Sequence, residues 1–365
     1  MIAGRKPNHT KRSTLNTYEP DKYPPPARNA SLDLIKVLAM TFVMTLHTVP
    51  PINRNPVCFL LATISGIAIP LFFMVSGFLL IKKNGDWTYS KQKILNIFKF
   101  SLFFTIPIAI INRIFLPIDW LDINAWLTDL IGPFLQKSNL LWVLWYLGAM
   151  CLIYLLLPAI HNLHKKFGSK FLILATISFA TICNVCFSLN ITIGFEQRII
   201  QTFRIQNWIL YFLIGATVHA FLPKIRESFY RPSKSHSLYI VIPIASAILY
   251  SFFLKYVSYP HGAEVEYNFG SAMCMAYSLA TFICLLLYKP GVFISKWIKR
   301  LSRLFLPAFV LHIFVIYTVN KIIPETVLEL EEYTYLIKLI SVWIGTLSLS
   351  YLIMKVPVGK WIFRI

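Results

Sequence analysis

Residues 32–49 read LDLIKVLAMTFVMTLHTV, an apolar run long enough to cross a bilayer as one helix. At about 100° and about 1.5 Å per residue, Asp33, Lys36 and His47 fall on one stripe of that helix. If Asp33 and Lys36 mark one edge of the bilayer, His47 lies roughly 21 Å from Asp33 and past the midplane. A titratable group at that depth is costly, so His47 is a candidate functional residue. A histidine satisfied by a neighbouring helix is the alternative.

The composition extends this interpretation to the whole chain of 365 residues. The residues are 57% hydrophobic and 14% charged, and the mean hydropathy is +0.63. A soluble protein of this length could not bury so much apolar surface. We therefore predict an all-α polytopic membrane protein with about ten transmembrane helices and both termini in the cytosol. The predicted spans are residues 32–50, 57–81, 94–116, 140–160, 170–190, 205–222, 237–257, 269–289, 302–321 and 334–356.

The remaining segments complete the predicted organisation. Residues 1–30 are polar, with six Lys or Arg and three consecutive prolines, so we expect a disordered basic cytosolic tail. Residues 31–365 are expected to form one membrane-embedded domain. The stretch 120–136 is too short and too acidic to span comfortably, and we expect an interfacial or re-entrant helix on the outer side.

The net charge of +20 follows the positive-inside rule. With the amino terminus in the cytosol, 26 of the 35 Lys and Arg residues fall on the cytosolic side. The acidic residues show the opposite bias. The basic charge is therefore mainly a signal for orientation and anionic lipids, and we predict no nucleic-acid partner. A positively charged cytosolic mouth for a phosphorylated small molecule is compatible with this pattern.

The six cysteines do not indicate a disulfide framework, because five lie inside predicted spans and Cys58 lies at the start of one. Cys183 and Cys186 have CxxC spacing, but in an apolar helix we interpret them as small packing residues. The sequence has no Gly-rich phosphate loop, no GxSxG motif and no paired metal-ligand motif. No metal site is predicted.

A second histidine is expected at a depth similar to that of His47. His312 lies about ten residues, or roughly 15 Å, into a span that enters from the cytosol. Two buried histidines could share a proton path, bind a metal or hold a substrate. A metal is disfavoured because no third ligand has a recognisable spacing. In a chain that otherwise avoids buried charge, the pair favours a function over simple packing.

Three other groups of residues have ordinary explanations. Ser76 lies among small residues that suit helix packing, with a nucleophile as the weaker alternative, and Pro70 should kink the same span. Trp142, Trp145 and Tyr146 suit an aromatic belt at the outer interface, although such rings could also stack on a sugar. Solvated loop residues are expected at six outer positions: Asn112, Arg113, Glu196, Arg198, Arg204 and Asn207.

Several of these segments together resemble the family 3 integral-membrane acyltransferases. The run Leu32-Asp33-Leu34-Ile35-Lys36 with Leu46-His47 is similar to the family's first-helix pattern of an aspartate, a basic residue and a deeper histidine. The resemblance continues in order to about residue 320. Its further matches are Ile69–Phe78, Leu144–Leu147 with Tyr154, Leu155 and Pro158, Tyr211–Gly215, and Leu301–Arg303 with Leu311 and His312.

The resemblance implies an enzyme that uses an acyl-CoA donor, most often acetyl-CoA, at the cytosolic face. The acyl group would pass to a hydroxyl of a glycan or lipid-linked sugar at or beyond the outer face of the bacterial cytoplasmic (inner) membrane. Without a hydrolase-like extension, the chain is expected among the single-domain members that O-acetylate surface polysaccharide precursors. His47 is the expected general base, with Asp33 and His312 as further catalytic residues, and Lys36 contributes to the donor site.

Two positions differ from the family pattern. Many members have Arg-x-x-Arg at the start of the third helix, where this chain has Lys93 and Asn96, and several have a histidine where this chain has Val143. On physical grounds, Lys91, Lys93 and Lys99 suit the phosphates of CoA as point charges rather than as bidentate clamps.

Composition and the buried histidines alone also fit two other classes of protein. A transporter or flippase of a lipid-linked sugar would use the histidines as a proton relay and would need no acyl-CoA. A scaffold subunit of an envelope-glycan assembly is the third class, and it would leave the buried polar residues unexplained. Consumption of an acyl-CoA thioester distinguishes the enzyme from both.

Overall fold

The computed structural model describes residues 29–49, 56–83, 85–115, 118–137, 140–229, 235–261, 265–323 and 331–363. Residues 1–28 of the predicted tail lie outside the described residues. In the described ranges the regular structure is helical and no strand occurs. The helices are α1 Ala30–Thr48, α2 Pro56–Ser65, α3 Ala68–Leu80, α4 Trp87–Phe115, α5 Ile123–Ile131, α6 Trp145–Phe167, α7 Ser169–Ile193, α8 Ile205–Phe229, α9 Ser235–Phe253, α10 Ala272–Leu287, α11 Val292–Ser302, α12 Phe305–Ile322, α13 Glu331–Lys355 and α14 Pro357–Ile362.

Nine helical segments of the described residues are long and apolar enough to cross a membrane. They correspond to nine of the ten predicted spans, and the all-α polytopic membrane fold is confirmed. The remaining predicted span, 269–289, contains α10, which has 16 residues and is about 24 Å long. The end of α10 lies beside the start of α1, where the Ser31 hydroxyl donates to the Tyr288 carbonyl at 2.7 Å. The placement of both termini in the cytosol requires this segment to cross as well, and it stays a prediction.

The chain before α10 is buried although it is not a regular helix. The Tyr211 hydroxyl on α8 donates to the Phe269 carbonyl at 2.7 Å, so a side chain replaces the missing helical hydrogen bond. Gly270 packs directly on α7, because a Cβ there would lie 2.6 Å from the Cys183 carbonyl oxygen. Non-helical backbone at membrane depth is tolerated where protein groups satisfy it in this way. The contact also supports the packing interpretation of Cys183.

The second predicted span is broken into α2 and α3 at Gly66 and Ile67. Pro70 explains the break, because it has no N–H and leaves the Gly66 carbonyl without its helical donor. The Tyr277 hydroxyl on α10 donates to the Ile64 carbonyl at 3.0 Å, which satisfies another carbonyl at the break. The kink expected at Pro70 is therefore a full interruption of the helix.

The closest helix packing joins α3 to α8. A Cβ at Gly77 would overlap the carbonyl oxygen of Phe212, and a Cβ at Gly215 would overlap that of Met74. Each glycine therefore allows the opposite backbone to approach without an intervening side chain. In a membrane, where lipid is as apolar as the helix surface, association depends on such close packing.

The segment 120–136 forms α5 and the 3-10 turn Gly132–Leu135, which together run back along α4. Asp129 accepts a hydrogen bond from Arg113 at 2.6 Å, whereas the ring of Phe134 lies 5.6 Å from that of Phe98. Arg113 and Phe98 are about 22 Å apart along α4 at about 1.5 Å per residue. The segment therefore descends alongside α4, in agreement with the re-entrant alternative.

Candidate active site at two stacked histidines

Two imidazole rings, from His47 near the end of α1 and His312 on α12, lie face to face. Their centroids are 5.5 Å apart and their planes differ by 19°. Trp142, in the 3-10 turn that precedes α6, meets the His47 ring edge-on at a centroid distance of 4.7 Å. An aromatic contact of this kind contributes about 0.5–1.5 kcal/mol, so Trp142 orients the His47 ring. The structure thus brings two of the predicted catalytic residues together.

His312 is held in one tautomer by its own helix. The residue is 0% exposed, and its Nδ1 lies 3.1 Å from the Ala308 carbonyl oxygen. Because a carbonyl only accepts hydrogen bonds, Nδ1 carries the proton, and in the neutral ring Nε2 carries a lone pair. Nε2 has no hydrogen-bond partner among the described residues. It is therefore a buried acceptor that the described residues do not use.

His47 is half-buried, and its ring nitrogens have no hydrogen-bond partner in the described part of the chain. Ring nitrogens form hydrogen bonds in the plane of the ring. Nδ1 of His312 faces the Ala308 carbonyl and Nε2 has no partner among the described residues, so neither nitrogen of His312 is hydrogen-bonded to His47. The arrangement suits two rings that act on one bound group.

An aromatic wall continues from the histidine pair toward α3. Phe309 lies 6.5 Å from the His312 ring and 5.7 Å from Tyr146, which in turn lies 5.1 Å from Phe73. Trp145 and Tyr146 are only 5% and 8% exposed. The expected aromatic belt at the outer interface is therefore wrong for these two residues. Their face of α6 packs against α3, α8 and α12 instead of against lipid.

Ser76 on α3 is part of this packed region. Its hydroxyl donates to the Phe72 carbonyl at 2.9 Å. A carbonyl is not a base that would activate a serine nucleophile. This contact supports the packing interpretation of Ser76.

Asp33 lies at the other end of α1, about 21 Å from His47 along the helix axis. It is 2% exposed and accepts a hydrogen bond from the Ser302 hydroxyl at 2.8 Å. This contact fixes the start of α1 against the end of α11. The structure does not bring Asp33 to the two histidines, so its predicted contribution to catalysis would have to be exerted from the far end of the helix.

The predicted donor-site lysines are spread over two helices: Lys36 on α1, and Lys91, Lys93 and Lys99 on α4. Lys36 is half-buried, whereas Lys91 and Lys99 are exposed. Lys93 is half-buried, and its ammonium group lies 6.0 Å from the centre of the Tyr89 ring. Lys83 lies 5.5 Å from the same ring centre. The ammonium groups of Lys83 and Lys93 thus both lie near the Tyr89 ring.

A second buried polar group, which we call the Glu196 cluster, consists of Asn190, Glu196, Arg204, Gln206 and Asn207. Glu196 accepts hydrogen bonds from the Asn207 amide at 3.0 Å and from the Gln206 amide at 3.2 Å. The Glu196 backbone N–H donates to Asn190 Oδ1 at 3.0 Å. Burial raises the pKa of Glu196, and the Asn207 hydrogen bond and the Arg204 charge partly offset this effect.

The prediction that the outer polar residues are solvated is wrong for most of them. Glu196 and Asn207 are 0% exposed, Arg204 is 3% and Arg113 is 4%. The guanidinium of Arg113 also lies 3.7 Å from the centre of the Trp126 ring. These side chains interact with each other and with aromatic rings because the re-entrant segment and the short 3-10 turns cover them.

In the described ranges no three His, Cys, Asp or Glu side chains are grouped as a metal site. All six cysteines are free.

A family model for the acyltransferase domain of acyltransferase family 3 matches residues 29–355, nearly the whole chain. The chain belongs to this family. No curated protein and no solved structure matches the chain. The acyltransferase is therefore a multi-pass membrane enzyme, and both stacked histidines lie within the matched region.

Two contacts in the acyltransferase were not predicted from the sequence. Trp142 contacts His47, but in the sequence an aromatic residue at the outer end of a span fits an interfacial belt equally well. Ser302 binds Asp33, and a serine at the end of a short amphipathic helix gives no sign of a distant acidic partner. The only signal for Ser302 is its place in the segment that resembles the family.

Proposed function

We propose that this acyltransferase is an acyl-CoA-dependent O-acyltransferase of the bacterial cytoplasmic membrane. It transfers an acetyl group from acetyl-CoA to a hydroxyl of a cell-envelope polysaccharide or lipid-linked glycan. The observation that carries the proposal is the stacked pair His47 and His312 in an enzyme of this family, in which His312 Nε2 has no hydrogen-bond partner among the described residues.

The proposed chemistry needs one base and one positioned acceptor. His47 takes the proton from the acceptor hydroxyl while the hydroxyl oxygen attacks the thioester carbonyl carbon. The bond between this carbon and the CoA sulfur then breaks, and the thiolate takes the proton from His47. The lone pair on His312 Nε2 accepts a second hydrogen bond from the acceptor and positions it, because the tautomer set by Ala308 leaves this nitrogen without a hydrogen.

The depth of the pair supports access from both faces. His47 lies about 21 Å from the end of α1 that holds Asp33, which is roughly two thirds of a hydrocarbon core of about 30 Å. A donor that enters beside Asp33 and an acceptor that enters from the opposite face would meet at the stacked rings. The donor phosphates would remain near the basic inner loops, for which Lys36, Lys91, Lys93 and Lys99 remain the proposed residues.

The test supplies acetyl-labelled acetyl-CoA to inverted membrane vesicles and follows label into the lipid-linked glycan fraction. Wild type should transfer label and His47→Ala should not, with equal amounts of folded protein in the membrane. His261→Ala is the matched control, because His261 is exposed and its Nδ1 contacts the carbonyl of nearby Val257 at 2.8 Å. Full transfer by His47→Ala would remove His47 from the mechanism.

The transporter alternative predicts a different result in the same vesicles. No label would be incorporated with a verified acceptor, whereas a lipid-linked sugar would cross the membrane in response to a pH gradient. The lack of a hydrogen bond between His47 and His312 disfavours this alternative, since a direct relay needs nitrogens that face each other.

A further inference from the structure

A cavity of about 530 Å³ lies where one end of α3, α6, α7 and α8 meet. Its polar lining consists of Lys82, His164, Ser169 and His219. Lys82 follows the end of α3, and Ser169 begins α7, so the cavity lies at the end of the bundle away from Trp142. None of these residues takes part in the proposed transfer step.

The lining offers hydrogen-bond donors and positive charge. Lys82 supplies positive charge beside His219, and no carboxylate lines the cavity among the described residues. Nδ1 of His219 is buried and has no hydrogen-bond partner in the described ranges. The ring is held edge-on to Phe78 at a centroid distance of 4.7 Å. An oriented imidazole with an unused nitrogen therefore lies beside a lysine.

The start of α7 adds a further source of donors. The residue before Ser169 is Gly168, which has a φ of +62° and no side chain, so the helix begins without a side-chain cap. The Phe171 N–H donates to the Gly168 carbonyl at 3.2 Å, and His164 Nδ1 lies 3.2 Å from the same oxygen. Among the described residues the amides of Ser169 and Lys170 are left for another acceptor, and the helix dipole adds partial positive charge. A multiply charged oxyanion matches this helix start beside a lysine and the His219 imidazole.

We infer that this cavity binds a phosphate group, with Lys82 and His219 as its principal contacts. The phosphate belongs to one of two sources with the same chemistry, a soluble nucleotide such as CoA or the headgroup of an anionic phospholipid. Binding itself does not depend on the proposed function. Only the assignment of the phosphate to the acyl donor rests on it.

The test uses the full chain in phosphatidylcholine nanodiscs and titrates inorganic pyrophosphate and then CoA by calorimetry. Lys82→Gln and His219→Gln should each weaken pyrophosphate binding about tenfold or more, since each removes a charge-assisted hydrogen bond to the anion. Lys296→Gln is the matched control, because it removes the same charge from an exposed site on α11. Thermal unfolding establishes that each variant is folded.

The source of the phosphate is identified by a parallel comparison. If both variants bind CoA as well as pyrophosphate more weakly than wild type does, the cavity is a nucleotide site. If both variants lose binding of phosphatidylglycerol in mixed nanodiscs, the cavity binds a lipid headgroup. Unchanged affinity of Lys82→Gln and His219→Gln for pyrophosphate, CoA and phosphatidylglycerol alike overturns the inference. The proposed function is tested separately: it fails if wild type transfers no label in the vesicle experiment, whatever the binding measurements show.

Discussion

The acyltransferase contains two buried polar groups that differ in whether their side chains are hydrogen-bonded to one another. In the Glu196 cluster, Glu196 receives two side-chain hydrogen bonds, and its backbone N–H donates to Asn190. At the stacked pair, His312 uses one nitrogen and His47 uses neither within the described residues. Other polar and charged side chains are buried as well, among them Asp33 and Arg113.

We interpret the Glu196 cluster as structural and the histidine pair as the group that takes part in the proposed chemistry. An unsatisfied buried polar atom costs about 1–3 kcal/mol. Among the described residues both groups contain such atoms: Nε2 of His312 in the pair, and Nδ2 of Asn190, Oε2 of Glu196 and Oδ1 of Asn207 in the Glu196 cluster. Hydrogen bonds within the Glu196 cluster hold the short turns between α7 and α8. The unused nitrogens of the histidine pair are available to a substrate. Substitutions in the two groups should therefore affect different properties.

The largest effect is expected for His47→Gln. Glutamine keeps a polar side chain but takes no proton, so the rate of acetyl transfer should fall about 10²- to 10⁴-fold. The thermal unfolding midpoint should stay near the wild-type value, because His47 has no hydrogen bond to lose. A thiol-reactive dye can follow unfolding, since five of the six cysteines are buried. If His47→Gln is stable and transfers acetyl groups at the wild-type rate, the histidine pair does not have the chemical role that the comparison gives it.

The opposite result is expected for Asn207→Ala in the Glu196 cluster. The substitution removes the 3.0 Å hydrogen bond to buried Glu196 and should lower the free energy of unfolding by about 1–3 kcal/mol. The transfer rate per folded molecule should be unchanged. Asn162→Ala is the matched control, because Asn162 is exposed on α6. A lower transfer rate of Asn207→Ala without a loss of stability would mean that the Glu196 cluster takes part in the transfer reaction.

A smaller effect on rate is expected for His312→Gln. If Nε2 only accepts a hydrogen bond from the acceptor, its loss should lower kcat/KM for the acceptor about 3- to 10-fold, as a neutral hydrogen bond contributes about 0.5–1.5 kcal/mol. The KM for acetyl-CoA should not change. A fall as large as that of His47→Gln would instead assign the proton transfer to both rings.

The sequence predicts the membrane fold well because span length and charge bias are local properties. Pro70 and the glycines Gly77 and Gly215 even indicate where a helix breaks and where two helices meet. Local patterns do not give the direction in which a helix face points. Trp145 and Tyr146 therefore fit a lipid-facing belt in sequence, whereas in the structure they face the interior.

The histidine pair was predictable from depth alone, because both spans enter from the same side and place an imidazole far from the edge. Its stacked geometry was not, since it depends on the rotation of α1 and α12. The Glu196 cluster was missed for a different reason. Polar residues at helix ends normally meet water, and only the tertiary fold shows that a re-entrant segment and short turns cover them.

The smallest effect, a change in pH dependence, is expected for Glu196→Gln. Burial raises the pKa of Glu196 in the folded state, so the folded protein holds this proton more tightly than the unfolded chain does. Stability from this group is then present below the ordinary carboxyl pKa of about 4.3 and is lost as the pH rises through the raised value. Glutamine keeps the oxygen that accepts from Asn207 and cannot ionise.

The unfolding midpoint of Glu196→Gln should therefore decline less than that of wild type between about pH 4 and pH 8. Comparing the two proteins at each pH cancels the titration of all other groups. Parallel curves would mean that Glu196 ionises as readily in the folded protein as in the unfolded chain. The hydrogen bonds and Arg204 would then offset burial completely, and the cluster would be built around a carboxylate rather than a neutral acid.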